Sequence, residues 1–144
     1  MKEKIFLLVD DDDDDRDLFE RAVKSIEGGV YYGVAGGPKM LEYLSGSQQL
    51  PDVIFLDVNM PEMSGWECLE ILKSNKRYKN IPVLMYSTSS HSKDIKKAEA
   101  LGAMTFCVKP DDYAELRKLI RLVKENIHKG VHNLLPILKE NKMS

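Results

Sequence analysis

Short apolar runs bounded by polar residues recur along the chain, and stretches of helical apolar spacing separate them. Residues 5–9 (IFLLV) and 53–56 (VIFL) are continuous rather than alternating, which predicts strands buried on both faces, as in a parallel sheet covered by helices. Residues 30–35 are β-branched and aromatic but contain Gly33, which predicts an edge strand. Residues 81–86 and 105–108 complete a set of five. Leu18, Phe19, Ala22, Val23 and Ile26 predict a first helix, stopped by Gly28 and Gly29, with Asp13 to Asp15 placed to cap it and meet its dipole. Pro38 suits the first position of a second helix carrying Met40, Leu41 and Leu44, and Gly65 opens a third with Trp66, Leu69, Ile71 and Leu72 as its apolar positions. Residues 94–101 form a fourth, closed by Gly102. Asp111 or Asp112 caps a fifth running to about His128, with Leu116, Leu119, Ile120, Val123 and Ile127 inward. Five βα units with short connections predict an α/β fold with a parallel sheet and right-handed crossovers.

Composition narrows this picture only modestly. The 144 residues suit one domain large enough to bury a core without metals or disulfides. A formal charge of -2 and a pI near 5.9 give no general pull toward nucleic acid or an anionic membrane. Cys68 and Cys107 sit in apolar surroundings without metal-type spacing, which predicts buried, reduced thiols and a cytoplasmic protein. The apolar stretch before the aspartates is too short for a signal peptide or a membrane span. His91, His128 and His132 have no His or Cys partner at ligand spacing and read as surface or helix-end residues. Trp66, Met60 and Met63 read as packing around the loop after Asp57.

The strand ends change the picture more. The first strand runs into six aspartates, Asp10 to Asp15; the third delivers Asp57; the fourth ends at Ser87; the fifth ends at Lys109. In a parallel sheet these ends share one edge, where ligands of open α/β folds bind. Carboxylates gathered there repel one another unless a cation sits among them. A hard divalent cation held by oxygens, with Lys109 as a fixed positive charge, resolves this, and Mg²⁺ suits a site with few carboxylates and a phosphate oxygen. Asp57 can then act as a nucleophile toward phosphorus, with Lys109 and Ser87 holding the transferring oxygens. A run of aspartates is also an ordinary solvated loop, and a lone Asp57 an ordinary helix cap.

In order and spacing, residues 5–11, 52–61 with Gly65 beyond, 82–87, Gly102 with Ala103, and 108–110 resemble the receiver domain of bacterial two-component response regulators. The resemblance covers residues 5 to about 128 and implies a flavodoxin-like (βα)5 fold with strand order 2-1-3-4-5. It implies Asp57 as phosphoacceptor and Asp10 and Asp11 as the acid pair. Mg²⁺ would then be held by Asp10, Asp11, Asp57 and the Asn59 backbone carbonyl. It further implies Lys109 as the phosphoryl contact with a cis bond to Pro110, and Ser87 and Phe106 as the switch pair. Phosphorylation would draw the Ser87 hydroxyl inward and turn an exposed Phe106 ring into the vacated space. The implied partner is a sensor histidine kinase or phosphotransfer protein, with a downstream protein target to follow.

The acidic run continues past the pair, and Phe106 stands where many members have tyrosine. Residues 1–128 read as the receiver domain and 129–144 as an extension rather than a separate domain. In that tail Val131, Leu134, Leu135, Ile137 and Leu138 predict a contact surface for docking or for a homodimer. With no appended DNA-binding or catalytic domain, the chain reads as a stand-alone, chemotaxis-regulator-like signalling protein rather than an enzyme. The competing class is a haloacid-dehalogenase-like phosphatase with Asp10 as nucleophile, Asp12 as general acid, and Lys109 with Asp111 or Asp112 in support. That reading gives Asp57 no role and meets Asp14 where the family has Thr or Val. A flavin module of the same fold needs a phosphate loop where six aspartates would repel it.

Overall fold

The computed structural model describes residues 3–88 and 92–127. The tail, with its predicted contact role, and all three histidines lie outside them. Five strands, β1 (Lys4–Val9), β2 (Gly29–Val34), β3 (Val53–Asp57), β4 (Val83–Ser87) and β5 (Thr105–Val108), alternate with five helices. These are α1 (Asp13–Lys24), α2 (Gly37–Gly46), α3 (Gly65–Ser74), α4 (Ser92–Ala100) and α5 (Tyr113–Asn126). All pairings are parallel and the sheet order is β2-β1-β3-β4-β5, as expected, with the glycine-containing β2 at an edge.

The continuous apolar runs arise because successive strand residues enter two different cores. Leu7, Val9, Ile54, Leu56, Val83 and Met85 pack with Met40 and Leu44 of α2, Cys68, Leu69 and Leu72 of α3, and Ala98 of α4. Their alternates Phe6, Leu8, Val53, Phe55, Leu84 and Tyr86 pack with Phe19, Ala22 and Val23 of α1 and Leu116, Ile120 and Val123 of α5. Helices α1 and α5 thus cover one face of the sheet, and α2, α3 and α4 the other. In the α1–α5 layer Phe19 meets Phe55 edge-on at 5.0 Å between ring centroids. Each such ring contributes ~1.5–3 kcal/mol by leaving water.

Several local expectations shift by a residue or two. The cap of α1 is Asp12, whose carboxylate accepts the Asp15 N–H at 3.1 Å, leaving Asp13 to Asp15 as the acidic first turn. Gly36 precedes α2, so Pro38 takes the second helical position, where its missing N–H is equally harmless. Helix α4 begins two residues before Asp94. On α3 the inward positions go to Cys68, Leu69 and Leu72, and Ile71 is only partly covered. The thiols of Cys68 and Cys107 are buried, and burial pushes the Cys68 thiol up to about 11.

Candidate functional site

Strand alternation continues one residue beyond the strand ends. The Asp10 N–H donates to the Val34 carbonyl at 3.1 Å, and the Lys109 N–H to the Ser87 carbonyl at 2.7 Å. Asp10, Asp57 and Lys109 therefore stay in step with Leu8, Phe55 and Cys107, on the side covered by α1 and α5. Ser87 stays in step with Met85, on the α2–α4 side.

Close approach of α3 fixes the exit of β3. A Cβ on Gly65 would lie 2.2 Å from the Asp57 carbonyl oxygen, so glycine alone lets the helix begin directly against the strand end. The Gly65 N–H donates to the Val58 carbonyl at 2.9 Å, and Ser64 with Glu67 closes a capping box around the first turn. Between them Glu62 adopts φ 68°, a left-handed conformation uncommon outside glycine.

Three carboxylates converge on one ammonium. Lys109 Nζ lies 2.8 Å from Asp10 Oδ2, 2.7 Å from Asp15 Oδ2 and 3.7 Å from Asp57 Oδ1, with the Tyr86 ring centroid 5.4 Å away. Asp10 is wholly buried; its Oδ1 accepts the Asp12 N–H at 3.0 Å. Its Oδ2 is in ionic contact with Lys109 but accepts no directed hydrogen bond among the described residues. Burial, then the Asp10 charge, push the Asp57 carboxyl up to about 7, against the opposing pull of Lys109. Burial on its own would lower the Lys109 ammonium, but Asp10, Asp15 and Asp57 raise it overall, keeping it charged.

Carboxylate oxygens of Asp10, Asp11 and Asp57 lie within 4.8 Å of one another. Hard oxygen donors, a buried oxygen lacking a directed hydrogen bond, and an Asp57 carboxyl that resists ionising without further positive charge fit a small divalent cation. Asn59, Ser87 and Thr88 line the same open cleft. The predicted set, Asp10, Asp11, Asp57, Asn59, Ser87 and Lys109, is thus brought to one sheet edge.

Two expectations are corrected. The Lys109–Pro110 bond is trans, as is every peptide bond among the described residues. The trans form is the lower-energy one for X–Pro, and Lys109 reaches Asp10 and Asp15 without the alternative. Phe106 is not an exposed ring awaiting burial: it is 5% exposed and stacks on Trp66 at 6.5 Å. A phenyl ring has no polar atom to keep in water, and the partly buried indole offers it a packing surface.

The residue sequence reasoning missed is Asp15. Its signal was the phase of α1: with Asp12 as cap, Asp15 is the third helical residue, reaching the same side of the sheet as Asp10 and Lys109. The phosphatase alternative loses its two key groups here. Asp10 is enclosed, and Asp12 is engaged as a helix cap.

The family model described as the response regulator receiver domain matches residues 6–121. Among curated proteins, the two-component response regulator ORR5 of Oryza sativa is 34% identical over 113 residues, 78% of this chain and 83% of that protein. The probable methanogenesis regulatory protein FilR2 of Methanothrix harundinacea is 29% identical, covering 84% of this chain and 81% of its own length. Only 20% of the longer response regulator-like APRR5 of Arabidopsis thaliana is spanned. Among solved structures, the phosphorylated cyanobacterial phytochrome response regulator RcpA superposes with a TM-score of 0.77 at 28% identity, over 86% of this chain and 93% of that one. The Mn(2+)-bound form of response regulator Rcp1 gives 0.73 at 25% identity, over 85% and 92%.

Proposed function

The chain belongs to the response-regulator receiver family, and we propose that it accepts a phosphoryl group on Asp57 from the phosphohistidine of a sensor kinase or phosphotransfer protein. An Asp57 carboxylate oxygen forms the new bond to phosphorus as the P–N bond of the donor breaks. The electron pair of that bond stays on the imidazole nitrogen, which takes up a proton. The observation that carries this reading is the Asp57 carboxyl itself. It lies at the exit of β3, is pushed up by burial and by Asp10, and has an ammonium at 3.7 Å. Asp10, Asp11, Asp57 and the Asn59 carbonyl would hold Mg²⁺, which when bound supplies charge neutralisation for the transferring oxygens. Lys109 adds fixed positive charge, and the Ser87 hydroxyl donates to a phosphoryl oxygen.

The remaining assignments follow the same reading. The protein works in the cytoplasm as a signalling domain, with phosphoryl transfer and loss its own only chemistry. Residues 1–128 form the receiver, and its phosphorylated surface engages a downstream protein.

Asp57→Asn tests the proposal most directly. With acetyl phosphate and Mg²⁺ the wild type takes up label and Asp57→Asn takes up none; chelation abolishes uptake in the wild type. Label that persists in Asp57→Asn and disappears in Asp10→Asn overturns the assignment in favour of Asp10 as nucleophile.

A further inference from the structure

We propose that Asp15 is a positioning residue that restrains Lys109, competing with the incoming phosphoryl group for its ammonium and so slowing phosphorylation of Asp57. The inference rests on the reading of Asp57 as acceptor. In the resting arrangement Nζ is a full ångström closer to Asp15 than to Asp57, at 2.7 Å against 3.7 Å. The contact to Asp15 is a directed hydrogen bond, and Asp15 is itself held at the third position of α1 beneath the Asp12 cap. Asp10 takes the ammonium from another side at 2.8 Å. The Tyr86 ring lies 5.4 Å from Nζ and is fixed edge-on against Phe19 and Phe55, at 5.7 and 5.6 Å.

Charge accounting separates the two carboxylates that hold Lys109. Asp10 is buried, belongs to the cation-holding set, and gains a second positive neighbour when the cation binds. Asp15 is about one third exposed and is not among the oxygens gathered at that centre. Its negative charge opposes a phosphoryl dianion and occupies the group that must stabilise charge on the transferring oxygens. The ammonium has three N–H donors, but while Asp15 holds one of them its charge is partly neutralised and its position fixed, so Lys109 serves the transition state fully only as this contact loosens. Asp15 therefore sets how readily Lys109 is released.

The test compares labelling rates with acetyl phosphate and Mg²⁺ in wild type, Asp15→Asn, Asp15→Glu and Asp14→Asn. Asp14 lines the same cleft, so Asp14→Asn measures simple relief of charge repulsion. Asp15→Asn is expected to label roughly threefold to tenfold faster, the scale of part of one charge-assisted hydrogen bond. Asp14→Asn should change less than about twofold, and Asp15→Glu should stay near wild type because it keeps the charge. The gain must disappear in a Lys109→Ala background, which a merely structural or long-range electrostatic role would not require. Slower or unchanged labelling in Asp15→Asn, or an equal gain without Lys109, overturns the proposal. NMR of the Lys109 side-chain ammonium, read without phosphodonor, keeps the two readings apart. If the wild type takes no label on Asp57, the acceptor assignment fails. The ammonium signal, seen in wild type and lost in Asp15→Asn, then still reports the anchor; a signal unchanged by the substitution overturns it.

Discussion

Phe106 and Lys109 stand three residues apart at the end of β5, and their surroundings differ in kind. Lys109 lies on the α1–α5 side among Asp10, Asp15 and Asp57, an excess of negative charge over positive in a mostly enclosed space. Phe106 lies on the α2–α4 side in a packed apolar cluster, stacked on Trp66, with the hydroxyl of Ser87 following the same side of β4. One face of the sheet edge holds electrostatic repulsion that a bound cation relieves. The opposite face is already relaxed. A change of charge therefore acts first on the Lys109 side, and whatever reaches the Phe106 side must work by shifting a settled packing arrangement rather than by filling a void.

A change of pH separates the two sides. The Asp57 carboxyl is raised from 3.8 to about 7 in the fold, so ionising it costs more in the folded chain than in the unfolded one. The penalty is absent below about pH 4, grows through the interval to about pH 7 and is complete above it. Asp57→Asn removes the ionisation altogether. Without divalent cation this variant should melt higher than wild type at pH 8, by at most about 4 kcal/mol, and show no such gain at pH 4. Adding Mg²⁺ should stabilise the wild type at pH 8 and leave Asp57→Asn less affected. Thermal unfolding at the two pH values checks both; an equal gain at pH 4 would show that Asp57 is not the strained charge.

Phe106→Ala addresses the packed side and should cost about 3–5 kcal/mol of stability, the range for truncating a buried aromatic. If the sides are separable as their geometry indicates, the surviving folded protein keeps the wild-type labelling rate at Asp57 under conditions well below its melting point. A labelling rate that falls in proportion to stability would join the two sides into one unit.

Much of this was legible in the chain because strands alternate and parallel strands share an end. The runs at 5–9 and 53–56 had to be strands covered on both faces, and with the strands before Ser87 and Lys109 sharing the same edge this gathers Asp10, Asp57, Ser87 and Lys109. Asp15 was hidden by its neighbours: in a run of six aspartates nothing distinguishes one carboxylate from another until Asp12 sets the helix phase. The resting position of Phe106 was hidden for a different reason. Strand parity gives the side of the sheet, but whether a ring is covered depends on the residues of other elements packed around it, the partly buried Trp66 among them. The Lys109–Pro110 isomer carries no local signal, since both forms suit a residue before proline.

The smallest effect probes how Phe106 is held. Lys97 on α4 is exposed, and its ammonium lies 4.6 Å from the Trp66 ring centroid, on the indole that stacks against Phe106 at 6.5 Å. The cation shields and orients the indole from outside, while the burial of Phe106 comes from the cluster beneath it. An exposed cation–π contact is worth ~0.5–1 kcal/mol, far less than the truncated ring. Lys97→Ala should therefore lower stability by no more than about 1 kcal/mol, with the loss diminished by salt, and leave the Asp57 labelling rate unchanged. Tryptophan fluorescence should shift, since the indole loses its charged neighbour, while the Phe106 ring resonances keep the signature of a buried side chain. Were Phe106 to become mobile on loss of Lys97, the indole would be its main support rather than one wall of its packing, and the α2–α4 side would be less settled than its burial suggests.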